Sequence, residues 1–447
     1  MTVQRLIAEM EGALAGVPML DVHTHLVGGR LAARGLHDLL LYHMVVTELY
    51  SAGCPSGTRL TQYPGWPSME EAHARIREAI PFLSRIRNTS LAWLLRVILR
   101  DLYGWTDPLT EDNWRTLDEI IRERSDDRAW QQEVLARCGV ERNMTEVARR
   151  GDGQDDGRLQ YSLEWAMFNR CQWGEFDTGL YELERCWGRQ PESPTPIGGR
   201  RPPTDRAIRT LADVHEAMDH YLSVLPYDRI LTTAVTFSSD ISYRLVSDAE
   251  MERALSNRDR ASTWERDTYA SYVNELFLTG LEAHAETLVY QFSLGAEPLP
   301  YETGSRINQR TCGQLGEIVA RHPRLRFQCM LASRHANQSL CTLARELPNL
   351  SLAGYWWHNF FPGIIRQVMS ERLDMLPVNK QVGFFSDAYC VEWVYGKAVL
   401  VRRLLAEVLA ERVVRSQYDI NEALGIAREI CFGSPQSLVG MRPQVKE

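Results

Sequence analysis

The chain has 447 residues, 44% of them hydrophobic and 24% charged, which is typical of soluble globular proteins and excludes disordered, collagen-like and membrane-embedded classes. Asp and Glu number 58 against 50 Lys and Arg, so the formal net charge is −8. Nucleic-acid binding depends on a basic surface that neutralises phosphates, so this charge argues against a general nucleic-acid partner.

The chain starts with a predicted amphipathic helix rather than with the apolar core and small-residue cleavage site of a secretory signal. No stretch approaches the roughly 18 uninterrupted apolar residues of a membrane-spanning helix. The nine cysteines are scattered and form no Cys-x-x-Cys pair, which favours reduced thiols over a disulfide framework or a cysteine zinc site. We therefore expect a cytoplasmic protein without a membrane partner.

Eight short segments rich in Val, Ile, Leu and aromatic residues are predicted to be buried strands, separated by amphipathic helices. They are 19–25, 140–145, 159–165, 230–237, 286–294, 326–332, 350–357 and 381–387. The second and third have the weakest patterns, because their polar residues are poor strand formers. Alternating strands and helices predict an α/β fold with a parallel sheet, either doubly wound or closed into a barrel.

The first two predicted strands are separated by more than 110 residues, which contain several helical patterns. A structureless connection of that length is improbable, so we predict a helical insertion over 27–135. Residues 188–205 contain five prolines and two adjacent glycines, a composition that predicts a long surface loop. We expect the polar face that carries Arg142, Arg149 and Arg150 to be solvated.

A possible metal site lies at 21–25, where the sequence Asp-Val-His-Thr-His ends the first predicted strand. Side chains two residues apart on a strand share a face, so His23 and His25 can converge on one metal ion. Asp387 ends the last predicted strand, and its carboxylate can bind a metal, abstract a proton or cap a helix. Because these ligands come from both ends of the chain, we predict one domain over 1–447.

These motifs resemble the amidohydrolase superfamily of metal-dependent barrels, with His-x-His on the first strand and Asp on the last. Within it, the sequence Gly-Tyr-Trp-Trp-His-Asn at 354–359 resembles the Gly-x-Trp-Trp motif of uronate isomerases, which also carry a helical insertion after strand one. Leu-Tyr-His-Met at 41–44 resembles the family's histidine-bearing segment, and Ser333-Arg334 resembles a substrate-binding arginine segment. The resemblance is to a divergent uronate isomerase and implies a distorted (β/α)8 TIM barrel.

The resemblance also implies a reaction, in which glucuronate or galacturonate becomes a ketose acid by proton transfer between C2 and C1 through an enediol. It implies that His23, His25 and Asp387 hold one divalent metal ion, which we expect to be zinc. Asp387 would serve as the base and His43 would assist proton movement. Independently, the negative charge of an enediolate suits a nearby cation or imidazolium. The alternative for His43 is an ordinary histidine of an amphipathic helix.

Substrate-binding roles follow from the same resemblance. Arg334 would bind the substrate carboxylate, for which an arginine fork is well suited. Trp356 or Trp357 would form a pocket wall, although large core or rim residues would also explain tandem tryptophans. We expect a small-molecule substrate and a homo-oligomeric protein.

Several positions depart from the family pattern and are predicted to contact an altered substrate. Met44 stands where members often carry a tyrosine, and Tyr389 stands where they typically carry an arginine after the strand-eight aspartate. Glu164, on the third predicted strand, stands where the family tends to have another arginine. Residues 291–295 lack the histidine that other amidohydrolases often place on strand five, which argues for one metal rather than two.

Losing two cations weakens the binding of a carboxylate substrate, because each charge-assisted hydrogen bond contributes about 1.5 to 3 kcal/mol. The leading hypothesis is therefore aldose–ketose isomerisation of a sugar acid or a related polyhydroxylated compound. The first alternative is hydrolysis, decarboxylation or carbon–carbon bond cleavage of a different substrate, for instance a biosynthetic one, at the same metal site. The second is a metal-retaining barrel that binds or regulates without turnover.

Overall fold

The computed structural model describes residues 3–56, 68–151, 157–164, 178–188, 204–236, 242–294, 296–298, 305–307, 311–355 and 360–441. Its strands, in chain order, are β1 (Met19–Asp21), β2 (Val140–Glu146), β3 (Leu159–Glu164), β4 (Ile230–Thr236), β5 (Val289–Leu294), β6 (Ala296–Pro298), β7 (Ser305–Ile307), β8 (Arg326–Leu331), β9 (Leu350–Ala353) and β10 (Gln381–Val382). Eight of them form one parallel sheet in the order β1-β2-β3-β4-β5-β8-β9-β10, while β6 and β7 pair antiparallel.

The first and last strands of this sheet meet just beyond their carboxyl ends. The N–H of Asp387 donates to the carbonyl of His23 at 3.0 Å, and the N–H of His25 donates to the carbonyl of Ala388 at 2.8 Å. These two hydrogen bonds join the segment after β1 to the segment after β10. The predicted (β/α)8 barrel is therefore confirmed.

All eight predicted strands are present, but several end earlier than their apolar patterns do. Strand β9 stops at Ala353 because Gly354 adopts a left-handed conformation, with φ of 45°. A Cβ atom at Gly354 would lie 2.0 Å from Cδ1 of Phe385, so this position accepts only glycine without rearrangement. Gly354 and Phe385, which follow β9 and β10, therefore lie against each other outside the strands.

In the described residues between β1 and β2, the region predicted as a helical insertion, there are six α-helices. They are α2 (Leu36–Leu40), α3 (His43–Ser51), α4 (Met69–Ala79), α5 (Ser90–Tyr103), α6 (Trp114–Arg124) and α7 (Arg128–Cys138). Helix α5 shows why they form: the Thr89 hydroxyl caps its first turn by accepting from the N–H of Ala92, and Gly104 ends it at φ 66°.

The other helices surround the sheet or follow it. They are α1 (Val3–Leu14), α8 (Thr178–Cys186), α9 (Leu211–Ser223), α10 (Asp248–Ser256), α11 (Thr263–Leu281), α12 (Thr311–Arg321), α13 (Asn337–Glu346), α14 (Pro362–Met375), α15 (Val391–Val414), α16 (Ile420–Arg428) and α17 (Ser434–Val439). Helix α15, which follows β10, packs against α1, α5, α7 and α14. It therefore connects the insertion to the end of the barrel that carries Asp387.

The core divides between the helical layer and the inside of the barrel. Leu20, Met144, Met330 and Phe385 pack together in a small interior cluster that also includes Met441, from the segment after α17.

In the described residues, no helix is long and apolar enough to cross a membrane. Eight cysteines lie in the same part of the chain, and all are buried free thiols.

Candidate metal centre

Three side chains converge where the first and last strands of the barrel meet. The Nε2 atoms of His23 and His25 lie 3.4 and 3.2 Å from Oδ1 of Asp387. The candidate ligand atoms of the three residues lie within 4.8 Å of one another, and the described part of the chain holds no second such group of three or more His, Cys, Asp or Glu side chains. The structure thus brings the three predicted metal ligands together.

The extended backbone after β1 explains why the two imidazoles point the same way. Thr24 lies between them and faces β2. Its N–H and its hydroxyl both donate to the carbonyl of Met144, at 2.7 and 2.8 Å. Successive side chains of an extended chain alternate in direction, so His23 and His25 both face Asp387.

The donor set fits a divalent cation. Two imidazole nitrogens and a carboxylate oxygen are common ligands of divalent transition metals, and tetrahedral zinc places neighbouring ligand atoms about 3.3 Å apart. The two distances from Oδ1 of Asp387 lie on either side of this value. Both also exceed the roughly 2.7 to 2.9 Å of a direct bond between a charged imidazole and a carboxylate, so the spacing suits three groups that share one ion.

A carboxylate on β2 orients His25. Oε1 of Glu146 lies 2.9 Å from Nδ1 of His25, which leaves Nε2 directed toward Asp387. A histidine ligand held through its second nitrogen has a fixed ring orientation and tautomer. Burial raises the pKa of Glu146, but the charge of Arg149 and the hydrogen bond to His25 outweigh it and hold the pKa below its usual value.

Arg149 belongs to the same group, and the prediction that its side chain lies on a solvated face is wrong. It is 2% exposed, because its Nε donates to Oε2 of Glu146 at 3.3 Å and its Nη1 donates to the carbonyl of His25 at 3.4 Å. Arg142, on the same predicted face, is also buried, whereas Arg150 is exposed. The ion pair with Glu146 explains how a charged side chain is accommodated at Arg149.

Asp21 supports the site by accepting hydrogen bonds from the backbone next to two of the candidate ligands. It is fully buried, and its Oδ1 accepts from the N–H of Ser386 at 2.9 Å and from the N–H of His23 at 3.4 Å. Its Oδ2 accepts from Nδ2 of Asn143 at 3.1 Å. Burial raises the pKa of Asp21 to about 7, against the opposing effect of these hydrogen bonds. Asp21 therefore connects the segments that carry His23 and Asp387.

Aromatic rings link the metal site to the insertion. The Tyr389 ring stacks on His25, with centroids 4.5 Å apart and an angle of 18° between the planes. The edge of the same tyrosine meets His43 at 5.7 Å, and Cζ of Arg149 lies 5.6 Å from its centroid. His43 is the first residue of α3 and is buried beside the ring of Tyr42. Tyr389 thus lies between the metal ligands and the predicted proton-transfer residue.

The remaining predicted site residues occupy different environments. Met44 is buried in the core cluster of the insertion. Arg334 is exposed in a short 3-10 helix after β8, and its Nη1 donates to Oε1 of Gln367 on α14 at 3.3 Å. That contact joins the Arg334 side chain to α14. Trp356 and Trp357 lie outside the described residues, and so does the side chain of Glu164, whose backbone ends β3.

Sequence reasoning missed Glu146, Arg149 and the supporting role of Asp21. The signal for Asp21 was its place two residues before His23, on the same face of the extended segment. Glu146 ends β2, so it lies at the edge of the sheet where barrel sites form. Arg149 had no such signal, because a polar residue in a short turn is normally solvated.

Comparison of sequences gives a limited match. No family model matches the chain. A segment of 100 residues is 25% identical to a uronate isomerase from Thermotoga neapolitana, and the match covers 22% of this chain and 22% of that protein. The chain therefore matches only about a fifth of the length of this curated relative.

Comparison of structures covers almost the whole chain. A uronate isomerase from Bacillus halodurans aligns over 99% of this chain and 98% of its own, with a TM-score of 0.72 and 18% identity. A glucuronate isomerase from Caulobacter crescentus aligns over 99% and 95%, with a TM-score of 0.75 and 14% identity. A proposed metal-dependent hydrolase from Lactobacillus casei aligns over 96% and 97%, with a TM-score of 0.59 and 11% identity. The chain shares the fold of uronate isomerases, as its motifs predicted.

Proposed function

We propose that the protein is a metal-dependent isomerase of the uronate isomerase type, which converts the aldose form of a sugar acid or a related polyhydroxylated compound to the ketose. The observation that carries the proposal is the convergence of His23, His25 and Asp387 where the first and last strands meet. The shared fold supports it, and so does the position of His43 against Tyr389, whose ring stacks on His25. The proposal includes a cytoplasmic homo-oligomer without nucleic-acid or membrane partners.

His23, His25 and Asp387 would hold one divalent cation, which we propose to be zinc. A bound cation of this kind polarises substrate oxygens and stabilises the negative charge of an enediolate. Glu146 keeps the His25 ring in one orientation, and Asp21 holds the backbone of His23 and Ser386. These contacts give the ligands fixed positions before substrate arrives.

Proton transfer is divided between Asp387 and His43. Burial raises the pKa of Asp387, but the two imidazoles hold it well below its usual range. The carboxylate therefore stays ionised, as a ligand and a proton acceptor must, although a low pKa makes it a weak base. His43 is the second group that would move a proton between C2 and C1, because imidazole exchanges protons near neutral pH.

Substrate recognition differs from that of an ordinary uronate isomerase under this proposal. Arg149 is already paired with Glu146, so it contributes little free positive charge to the site. Arg334 would contact a substrate carboxylate after leaving Gln367, and Trp356, Trp357 and Glu164 would line the pocket. The retained metal ligands with fewer free cations favour a sugar derivative that is less acidic than glucuronate, or one that carries an amine.

A second reaction on the same centre is favoured by one observation. The Tyr389 ring covers one face of the His25 imidazole at the position where the motif of uronate isomerases has an arginine. An uncharged ring there suits a substrate without a second carboxylate contact. Hydrolysis, decarboxylation or carbon–carbon bond cleavage would then use the same three ligands.

The test begins with metal content. Purified protein is analysed for bound divalent metal beside a His23→Ala/His25→Ala variant, and the proposal predicts close to one equivalent in the wild type and loss in the variant. Aldose-to-ketose conversion is then followed on glucuronate, galacturonate and their amino and neutral analogues. A full metal site with no isomerisation of any of them would favour the second reaction. Equal metal content in both proteins would refute the metal site.

Normal turnover by an Asp387→Asn variant would remove Asp387 from the mechanism. The matched control is Asp38→Asn. Asp38 is also an aspartate close to a histidine and is partly buried, but it pairs with Arg34 in the insertion and is not a candidate ligand. This control should keep its metal even if it loses stability.

A further inference from the structure

Asp387 has an unusual backbone conformation. Its φ is 54°, in the left-handed region that residues with a side chain rarely occupy. A conformation of this kind persists only where the surrounding structure holds it in place. The direction of the Asp387 carboxylate therefore depends on the groups that fix its two adjoining peptide units.

Lys397 and Tyr42 bind the carbonyl oxygens of those two peptide units, while the N–H of Asp387 donates to the carbonyl of His23. The Nζ of Lys397 donates to the carbonyl of Ser386, which belongs to the peptide before Asp387. It also donates to the hydroxyl of Tyr42 at 2.7 Å, and that hydroxyl donates to the carbonyl of Asp387 at 3.1 Å. The orientation of these two peptide planes sets φ and ψ of Asp387, so one cation and one phenol restrain both.

Burying the Lys397 ammonium has a high desolvation cost. Its side chain is fully buried on α15, and its Nζ lies 4.9 Å from the ring centroids of both Tyr42 and Phe360. Within the described part of the chain, no carboxylate forms an ion pair with it. A buried ammonium without a paired carboxylate is unfavourable, which argues that the hydrogen bonds of Lys397 serve a specific purpose.

Tyr42 also extends this restraint to the insertion. It immediately precedes His43, the first residue of α3, and its ring stacks on Trp393 of α15, with centroids 4.6 Å apart. The hydroxyl of Tyr42 thus ties the start of α3 to the backbone of Asp387. A metal ligand from the barrel and a candidate proton-transfer residue from the insertion share one anchor.

We propose that Lys397 and Tyr42 are positioning residues, which hold the Asp387 carboxylate toward the two imidazoles and fix His43 relative to it. This inference rests on the proposed function, since it requires Asp387 to be a metal ligand. It assigns a role to two residues that contact neither the imidazoles of His23 and His25 nor the carboxylate of Asp387.

The test compares two tyrosine-to-phenylalanine variants with the same chemistry. Tyr42→Phe removes the hydroxyl that bonds to Asp387. Tyr103→Phe is the matched control, because its hydroxyl also joins the insertion to α15, by donating to Oε1 of Glu392 at 2.7 Å. For each protein, the Kd for Co²⁺ is measured by competition with a chelator, and the visible spectrum of the bound Co²⁺ is recorded along with the thermal midpoint.

We expect both variants to lose stability but only Tyr42→Phe to change the metal site. The Kd for Co²⁺ should rise about 10- to 100-fold, as is usual when a group that supports a metal ligand is removed. The Co²⁺ spectrum should shift as well, because the carboxylate changes direction. Tyr42→Phe leaves the Lys397 ammonium with one fewer acceptor, so the double variant Tyr42→Phe/Lys397→Met is measured too. It removes both restraints, so its rise in Kd should be at least as large.

The possible failures are distinguishable. Wild-type protein that binds no Co²⁺, or a His23→Ala/His25→Ala variant that binds it equally well, would refute the proposed function itself. Tight binding that depends on both histidines, with Tyr42→Phe and the double variant indistinguishable from Tyr103→Phe in Kd and spectrum, would refute only the positioning role.

Discussion

Replacing Glu146 by glutamine separates its effect on His25 from its effect on folding. In the wild type, Oε1 of Glu146 lies 2.9 Å from Nδ1 of His25, and Oε2 accepts from Nε of Arg149 at 3.3 Å. An amide has one acceptor oxygen where a carboxylate has two. In Glu146→Gln, either the imidazole or the guanidinium therefore faces an NH₂ group.

The magnitude follows from these contacts. One hydrogen bond involving a charged group is lost, which corresponds to about 1.5 to 3 kcal/mol in the free energy of unfolding of the metal-free protein. The His25 ring also loses its fixed tautomer, so the Kd for a divalent metal should rise about 10- to 100-fold. Urea unfolding measures the first effect, and chelator competition with Co²⁺ or Zn²⁺ measures the second.

Glu275 offers a matched control for this experiment. It also bridges a histidine and an arginine, since its Oε1 lies 3.1 Å from Nε2 of His322 and its Oε2 lies 3.2 Å from Nη2 of Arg321, and it accepts one further hydrogen bond, from the Tyr243 hydroxyl. Glu275→Gln should lose a similar free energy of unfolding without a change in metal affinity. If Glu146→Gln bound metal as tightly as Glu275→Gln does, the orienting role of Glu146 would be disproved.

Three further predictions test other parts of the molecule. Gly354→Ala should lower the free energy of unfolding, measured by urea titration, by about 2 to 5 kcal/mol. The alanine would have to adopt a left-handed backbone conformation, and its Cβ would clash with the Phe385 ring. A loss below about 1 kcal/mol would contradict this reasoning. Burial raises the pKa of Glu275, but its hydrogen bonds, above all the one from His322, lower the pKa to about 2. The ionised Glu275 therefore stabilises the fold fully above pH 4.5, and this contribution is lost as the pH falls toward 2. Glu275→Gln should make the free energy of unfolding, measured by urea titration, decline less steeply between pH 5 and pH 3. Tyr389→Arg should lower the KM for glucuronate about 10-fold in steady-state assays if the phenol replaced a substrate-binding cation, and an unchanged KM would count against that role.

The alternation of short apolar strands with amphipathic helices was sufficient for a parallel α/β fold, and the resemblance of the His-x-His and Asp motifs to metal-dependent barrels decided for the barrel. It was also sufficient to predict His23 and His25 as a pair, since their spacing alone places both side chains on one face. The ends of β9 and β10 were not predictable, because a loop that packs inside the barrel has the same apolar composition as a strand. Only the left-handed Gly354 shows where the ladder of hydrogen bonds stops.

Residues that support the site were harder to find, because their partners are distant in the chain. Glu146 lies 121 positions from His25, and Lys397 lies 355 positions from Tyr42. No local pattern predicts contacts of this kind. A lysine within the apolar sequence of α15 gave a weak signal, because a charge on a buried helix face needs partners, but the sequence does not show which ones.

The hydrogen bonds between the first and last strands also determine when the site can form during synthesis. Asp387 leaves the ribosome 362 residues after His25, an interval of about 20 to 70 s at 5 to 20 residues per second. Throughout that interval the two histidines are present without their carboxylate, and Met441, which packs inside the barrel, comes later still. An ion that requires all three donors would therefore be acquired only after Asp387 has been synthesised, so metal loading would follow the histidines by the whole of this interval.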